Sequence, residues 1–161
     1  MEQTLVIVKP DAVARRLVGE VIRRCESEGL SIRGLKMVAL GRKEAEGFYQ
    51  VHRQQPFFES LTRFMASGPC VAMVLEGEDA IQRVRLLMGA TDPRKADEGT
   101  IRRSLATSIE QNIVHGSDSV ASAALEIPYF FSRLELFPVG GSGIPGQIKG
   151  RGHGHSVEEI P

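Results

Sequence analysis

Short apolar runs alternate with stretches in which apolar residues recur every three or four positions. The first run, Thr4 to Lys9, is rich in β-branched residues and ends at Pro10, which biases the preceding residue toward an extended conformation. It predicts a buried strand that delivers Lys9 at its tip. Val18, Val21, Ile22 and Cys25 share one helical face up to Gly29, a residue suited to a helix C-terminus. Ser31 to Leu40 alternates as a second strand. Ala45, Phe48, Tyr49 and His52 mark another helical face; Phe58, Leu61 and Met65 mark a third, opened after Pro56 and closed by Gly68. Cys70 to Leu75 predicts a third strand, and Ala80, Ile81, Val84, Leu87 and Met88 a helix ending at Gly89. From Gly89 to Thr107 turn signals dominate, notably Asp92-Pro93 and Asp97-Glu98-Gly99. Such a long irregular connection in a compact domain is usually functional or mobile. Asn112 to Val114 predicts a brief last strand, and Val120 to Phe131 a last helix with Ser119 as its N-cap. Pro128 removes a helical hydrogen bond and crowds the carbonyl of Ala124, so this helix should kink or stop near Ile127 and displace Glu126.

The order of elements predicts an α+β fold of ferredoxin-like type, a sheet with helices packed on it. At 161 residues the chain is one domain's worth of sequence. The composition shifts at Pro138: seven of the 17 glycines fall in 138–161, where no apolar period survives. The reading is therefore a folded domain over 1–137 and a Gly-rich, disordered C-terminal tail over 138–161. His153 and His155 in that tail form at most a weak metal-binding strip.

Charge changes the functional picture more than the fold. The 20 basic residues balance 20 acidic ones. Setting aside Lys149, Arg151, Glu158 and Glu159 leaves the folded part neutral as well. Strong nucleic-acid or anionic-membrane binding, which needs excess cations, is not expected. Cys25 and Cys70 stand far apart in apolar settings and read as buried free thiols. The apolar stretch Leu5 to Val8 is too short for a membrane span or a signal-peptide core, so a cytoplasmic protein is expected.

The densest polar constellation runs from Asn112 to Ser119. An apolar pair leads to His115 at the expected strand end, and small residues permit a tight turn whose free N–H groups, with the next helix terminus, favour anions. Glu126, two turns into that helix, could reach back to one ring nitrogen and leave the other free as a nucleophile. Lys9, Arg85 and Arg102 are the cations that could face the same anion. Each alone is more ordinarily a surface charge, so their meaning depends on convergence.

Six blocks, in order and spacing, resemble the nucleoside diphosphate kinase family: Val8-Lys9-Pro10-Asp11-Ala12-Val13, Pro56-Phe57-Phe58, Ser67-Gly68-Pro69, Leu87 to Pro93, Gly99-Thr100-Ile101-Arg102 and Asn112 to Ser119. The resemblance covers about Thr4 to Phe137, and the histidine segment is its most specific part. It implies a ferredoxin-like βαββαβ core with an antiparallel four-stranded sheet covered by helices. It also implies ping-pong transfer of a γ-phosphate through phosphohistidine on His115, with little base specificity. By the same resemblance Lys9, Arg85 and Arg102 neutralise phosphates, Thr91 donates a hydroxyl to them, and Tyr49 supports the Lys9 corner. Phe57 stacks on the base with Ile109 on its other face, Asn112 and Lys9 hold the sugar hydroxyl, Glu126 orients His115, and Ser117 steadies that pair. Mg²⁺ would arrive on the nucleotide phosphates, since the sequence offers no dedicated carboxylate cage and no Walker-type loop. Homo-oligomers, tetramer or hexamer, are the assembly the family implies. Arg103-Ser104 departs from the small and acidic residues expected after Arg102, which bears on the local loop. The rival reading is a regulatory or nucleic-acid-binding member that keeps the fold as an interaction platform; the intact Lys9, Arg102, His115 and Glu126 and the neutral charge count against it.

Overall fold

A computed structural model describes residues 1–138, so the expected tail, from 139 onward, lies outside the described residues. β1 (Glu2–Val8), β2 (Ser31–Ala39), β3 (Pro69–Gly77) and β4 (Val114–Gly116) form one sheet in the order β2-β3-β1-β4. Every pairing is antiparallel. With α1 (Pro10–Ala14), α2 (Val18–Ser27), α3 (Arg42–Phe48), α4 (Phe58–Met65), α5 (Ala80–Met88) and α6 (Ile101–Leu105) between the strands and α7 (Val120–Phe130) after the last, this is the ferredoxin-like α+β arrangement.

The continuous apolar runs of β1 and β3 follow from burial on both faces. Val6 and Val8 point to one core with Val71, Met73 and Leu75, against Val21 and Cys25 of α2 and Val84 and Met88 of α5. Leu5 and Ile7 point to the other, with Cys70, Ala72 and Val74, against α3, α4 and α7. Both cysteines are free and buried, and burial pushes their thiols up, Cys25 to about 12 and Cys70 to about 11.

Four local expectations are corrected. The last strand is Val114–Gly116 rather than Asn112 to Val114, because Ile113 adopts a φ of 75° and turns the chain before pairing begins. His115 is consequently the middle residue of β4, opposite Ile7, and not its end. The helical face from Ala45 to His52 is broken: α3 stops at Phe48, and Gln50–His52 is a separate 3-10 turn. The 89–107 connection contains α6, a helix too short to show a period, whose N-cap Thr100 accepts from the Arg103 N–H. α1, which begins at Pro10, had no counterpart in the pattern.

Pro128 does not end the last helix at Ile127. α7 runs to Phe130, and the Phe131 N–H still donates to the Ile127 carbonyl at 2.9 Å. Pro128 and Ala124 are both exposed, so the carbonyl that loses its helical partner is left facing water. Glu126 stays in place. Pro128→Ala should regain one helical hydrogen bond at the cost of a freer unfolded chain, giving a rise of a few degrees in melting temperature by calorimetry; an unchanged or lower value would show that the strain is already relieved.

Candidate active site

The connection from β1 into α1 places Lys9 at the helix start, where its N–H donates to the Ile113 carbonyl at 2.8 Å. That bond joins the β1 tip to the segment preceding His115. Around Ile113 the chain makes a tight three-residue turn, with the Val114 N–H donating to the Asn112 carbonyl at 2.9 Å. A positive φ on a β-branched residue is strained and persists only where neighbours enforce it. Asp11 does so, its Oδ2 accepting from the Ile113 N–H at 3.2 Å while both are buried. Asp11 was part of a matched block, but sequence spacing assigned it no task.

His115 faces a cavity of about 970 Å³ between the β4 end of the sheet, α3, α4, α6 and α7. Lys9, Tyr49, Phe57, Arg85, Thr91, Arg102, Ile109, Asn112 and Glu126 line it with His115. Ser117 is the one expected site residue that does not; it is fully buried behind the histidine. Its Oγ accepts from the Leu5 N–H at 3.2 Å and donates to Glu126 Oε2 at 2.6 Å. Glu126 Oε1 then lies 3.2 Å from His115 Nε2. The distance would permit a hydrogen bond, yet Nε2 is without a partner of acceptable angle, so the two groups are in polar contact without an aligned bond. His115 itself lines the cavity, and with Nε2 turned to Glu126 the other ring nitrogen is the one left to react.

The cations are arranged with few counter-charges. Lys9 is 6% and Arg102 8% exposed. Lys9 Nζ donates to Asn112 Oδ1 at 2.7 Å, and Asn112 Nδ2 donates to the Thr91 carbonyl at 3.1 Å. Arg102 donates to the carbonyls of Gly89 at 3.0 Å, Val114 at 2.8 Å and Asn112 at 3.4 Å, which stitches α6 to the end of α5 and to β4. Among the described residues neither of these cations, nor the exposed Arg85, forms an ion pair with a carboxylate. Burial, then the neighbouring Arg102 charge, brings Lys9 down to about 8 despite Asp11 and Glu110 nearby. Burial, then Arg85, lowers Arg102 to about 10. Buried cations held by carbonyls are costly in the free protein and suit an anion that arrives later.

Tyr49 stands edge-on to His115, ring centroids 5.9 Å apart. Its buried hydroxyl is unpaired and makes no bond to Lys9, and burial raises it far above the usual phenol range. Thr91 is exposed and its hydroxyl is uncommitted. Phe57 and Ile109 are half-exposed at the cavity's outer end. Arg103, where the family pattern was broken, donates to Glu98 Oε1 at 2.9 Å and leaves Arg102 in the site. His52, Glu110, Leu61 and Tyr129 also line the cavity and were not singled out as site residues beforehand. His52 had a usable signal, since it falls three residues after Tyr49. Among the described residues no group of three His, Cys, Asp or Glu side chains is placed to hold a metal ion. No helix among them is long and apolar enough to cross a membrane.

The sequence profile described as nucleoside diphosphate kinase matches residues 2–136. The chain belongs to that family. As a family member it is a phosphotransferase that moves a phosphoryl group between nucleotides. It is 64% identical over 136 residues to the nucleoside diphosphate kinase of Desulfosudis oleivorans, covering 84% of this chain and 98% of that one. It is 57% identical to that of Desulforapulum autotrophicum, covering 84% and 99%. Among solved structures, the Aquifex aeolicus nucleoside diphosphate kinase superposes with a TM-score of 0.82 at 48% identity, over 84% of this chain and 98% of that one. The Halobacterium salinarum enzyme, solved with CDP, gives 0.84 at 41% over 88% and 94%.

The Lys9 burial cost has a pH signature. With the folded value near 8 and the unfolded one near 10.5, the unfolded chain binds more protons between those limits, so Lys9 makes stability rise with pH across that window. Lys9→Met should therefore be more stable than the wild type near pH 7, by an advantage that shrinks from pH 8 to 10 in denaturant titrations. A constant difference would show that Lys9 is not destabilised by burial.

Proposed function

We propose that this protein transfers the γ-phosphoryl group of a nucleoside triphosphate to a nucleoside diphosphate through phosphohistidine at Nδ1 of His115. The observation that carries this is the convergence on one cavity of His115 and three cations that, among the described residues, have no carboxylate partners. In the first half-reaction Nδ1 attacks the γ-phosphorus, the N–P bond forms, and the bond to the β-phosphate oxygen breaks, releasing the diphosphate. In the second, an acceptor's terminal phosphate oxygen attacks the same phosphorus and the N–P bond breaks.

Glu126 and Ser117 hold the ring with Nε2 carrying its proton toward the carboxylate, which keeps the Nδ1 lone pair free. Lys9, Arg85 and Arg102 neutralise the charge spread over the transferring group. Thr91 and the unpaired Tyr49 hydroxyl donate to phosphate oxygens, and Asn112 shares the sugar hydroxyl with Lys9. Phe57 and Ile109 clamp the base between apolar faces, a contact open to every base because each has a π-face. That fits the CDP held by the Halobacterium salinarum relative.

Family members use a divalent cation with the nucleotide. Mg²⁺ is the ion we propose, held by phosphate oxygens, and the cationic lining fits that better than it fits a protein-held metal. When bound it supplies further neutralisation of the phosphates. We also propose a cytoplasmic homo-oligomer, tetramer or hexamer, supported by the exposed Leu35 and Met37 on the edge strand β2. Light scattering after size exclusion should give four or six chains; a single chain would end that reading.

Incubation with γ-labelled ATP and Mg²⁺ should give an acid-labile, alkali-stable phosphoprotein that His115→Ala abolishes. Label persisting on the variant would sink the assignment. Because a phosphate holds Lys9 charged whereas the free protein loses that proton near pH 8, nucleotide affinity should fall as pH rises from 8 to 10, with proton uptake on binding. Calorimetry in buffers of different ionisation enthalpy measures both.

A further inference from the structure

A ladder of rings leads from the nucleophile to the cavity mouth. The buried Tyr49 lies edge-on to His115, His52 stacks on Tyr49 with centroids 6.4 Å apart and planes 30° from parallel, and Phe57 tilts against His52 at 5.6 Å. The 3-10 turn explains the middle rung. Its three-residue period eclipses side chains at i and i+3, and the His52 N–H donates to the Tyr49 carbonyl at 2.8 Å, so the two rings must overlap.

Phe57 needs such support. It is 48% exposed and serves as the N-cap residue of α4. Among the described residues His52 is the one ring it packs against. An exposed aromatic without a neighbour samples several rotamers, and a base stacking on it would have to freeze that motion.

We propose that His52 is a positioning residue for base recognition: anchored on Tyr49, it fixes the Phe57 ring at the angle at which a nucleotide base stacks. It touches neither the phosphates nor the transferring group, so it governs nucleotide affinity rather than the chemical step. Purines, with the larger π-face, depend on it more than pyrimidines. The inference rests on the reading of Phe57 as the base platform.

The test is titration calorimetry of the full-length protein with ADP and with CDP, alongside kcat at saturating nucleotide. In His52→Ala the Kd for ADP should rise about three- to ten-fold, the worth of one aromatic pair, with a smaller rise for CDP and kcat little changed. His52→Phe should restore the affinity and His52→Gln should not. Phe57→Ala and the double variant should bind ADP equally weakly, because His52 acts only through Phe57. The inference is overturned if His52→Ala binds ADP like the wild type while Phe57→Ala does not. A double variant weaker than Phe57→Ala by the full His52→Ala factor also overturns it, as does a loss confined to kcat. If the alanine variant fails to fold by circular dichroism, equal Kd values for His52→Phe and His52→Gln would overturn it as well. Unaltered ADP binding by Phe57→Ala sinks the platform reading itself, and the inference with it.

Discussion

The site is organised around cations that the fold buries without giving them ion-pair partners among the described residues. Lys9 and Arg102 are held by an amide oxygen and by main-chain carbonyls, which fix geometry without cancelling charge. In an interior of low dielectric that is unfavourable in the free protein and would be relieved by an anion, as the proposed phosphate binding requires. Much of the local backbone answers to this constraint. The turn at Ile113 supplies the Asn112 and Val114 carbonyls, and α6 exists to carry one arginine to them.

The same turn sets the position of His115. Because Ile113 reverses the chain, pairing with β1 starts at Val114, and His115 falls in the middle of a three-residue strand with Gly116 after it. A Cβ at Gly116 would come within 2.8 Å of Met88 Sδ and 3.1 Å of Val84 Cγ1, so a larger residue there would require the α5 side chains to shift. Ser117 is locked to Leu5 by two hydrogen bonds, one from its N–H and one to its hydroxyl. The register of β1 against β4 is thus carried through Ser117 and Glu126 to the imidazole, linking a sheet register to the placement of one ring nitrogen.

Much of this was legible in the chain. Apolar runs at β1 and β3 announced strands buried on both faces, and the segment from Asn112 to Ser119 announced an anion-facing histidine before any resemblance was invoked. Ten of the eleven residues named from sequence line one cavity, and the eleventh stands directly behind it. What escaped were short elements, α1 and α6, whose five residues each hold too little of a helical period to register. The break after Phe48 escaped for a similar reason, because a three-residue period and a 3.6-residue one coincide over a single turn. Pro128 costs the helix little because it and Ala124 are exposed, and exposure is a property of the packing that the local pattern does not carry.

Sequence alone determined the residue types and their order: a neutral chain with short buried strands, one histidine among small residues, and scattered cations. Only the tertiary structure decided that Lys9, Arg85 and Arg102 converge, that Glu126 reaches His115 despite a proline two residues on, and that Tyr49, His52 and Phe57 form a continuous run of ring contacts. The reason is that convergence depends on register and crossover. Lys9 and Asn112 are 103 positions apart in the chain and 2.7 Å apart in space. No local periodicity encodes a distance closed by pairing strands drawn from opposite ends of the domain.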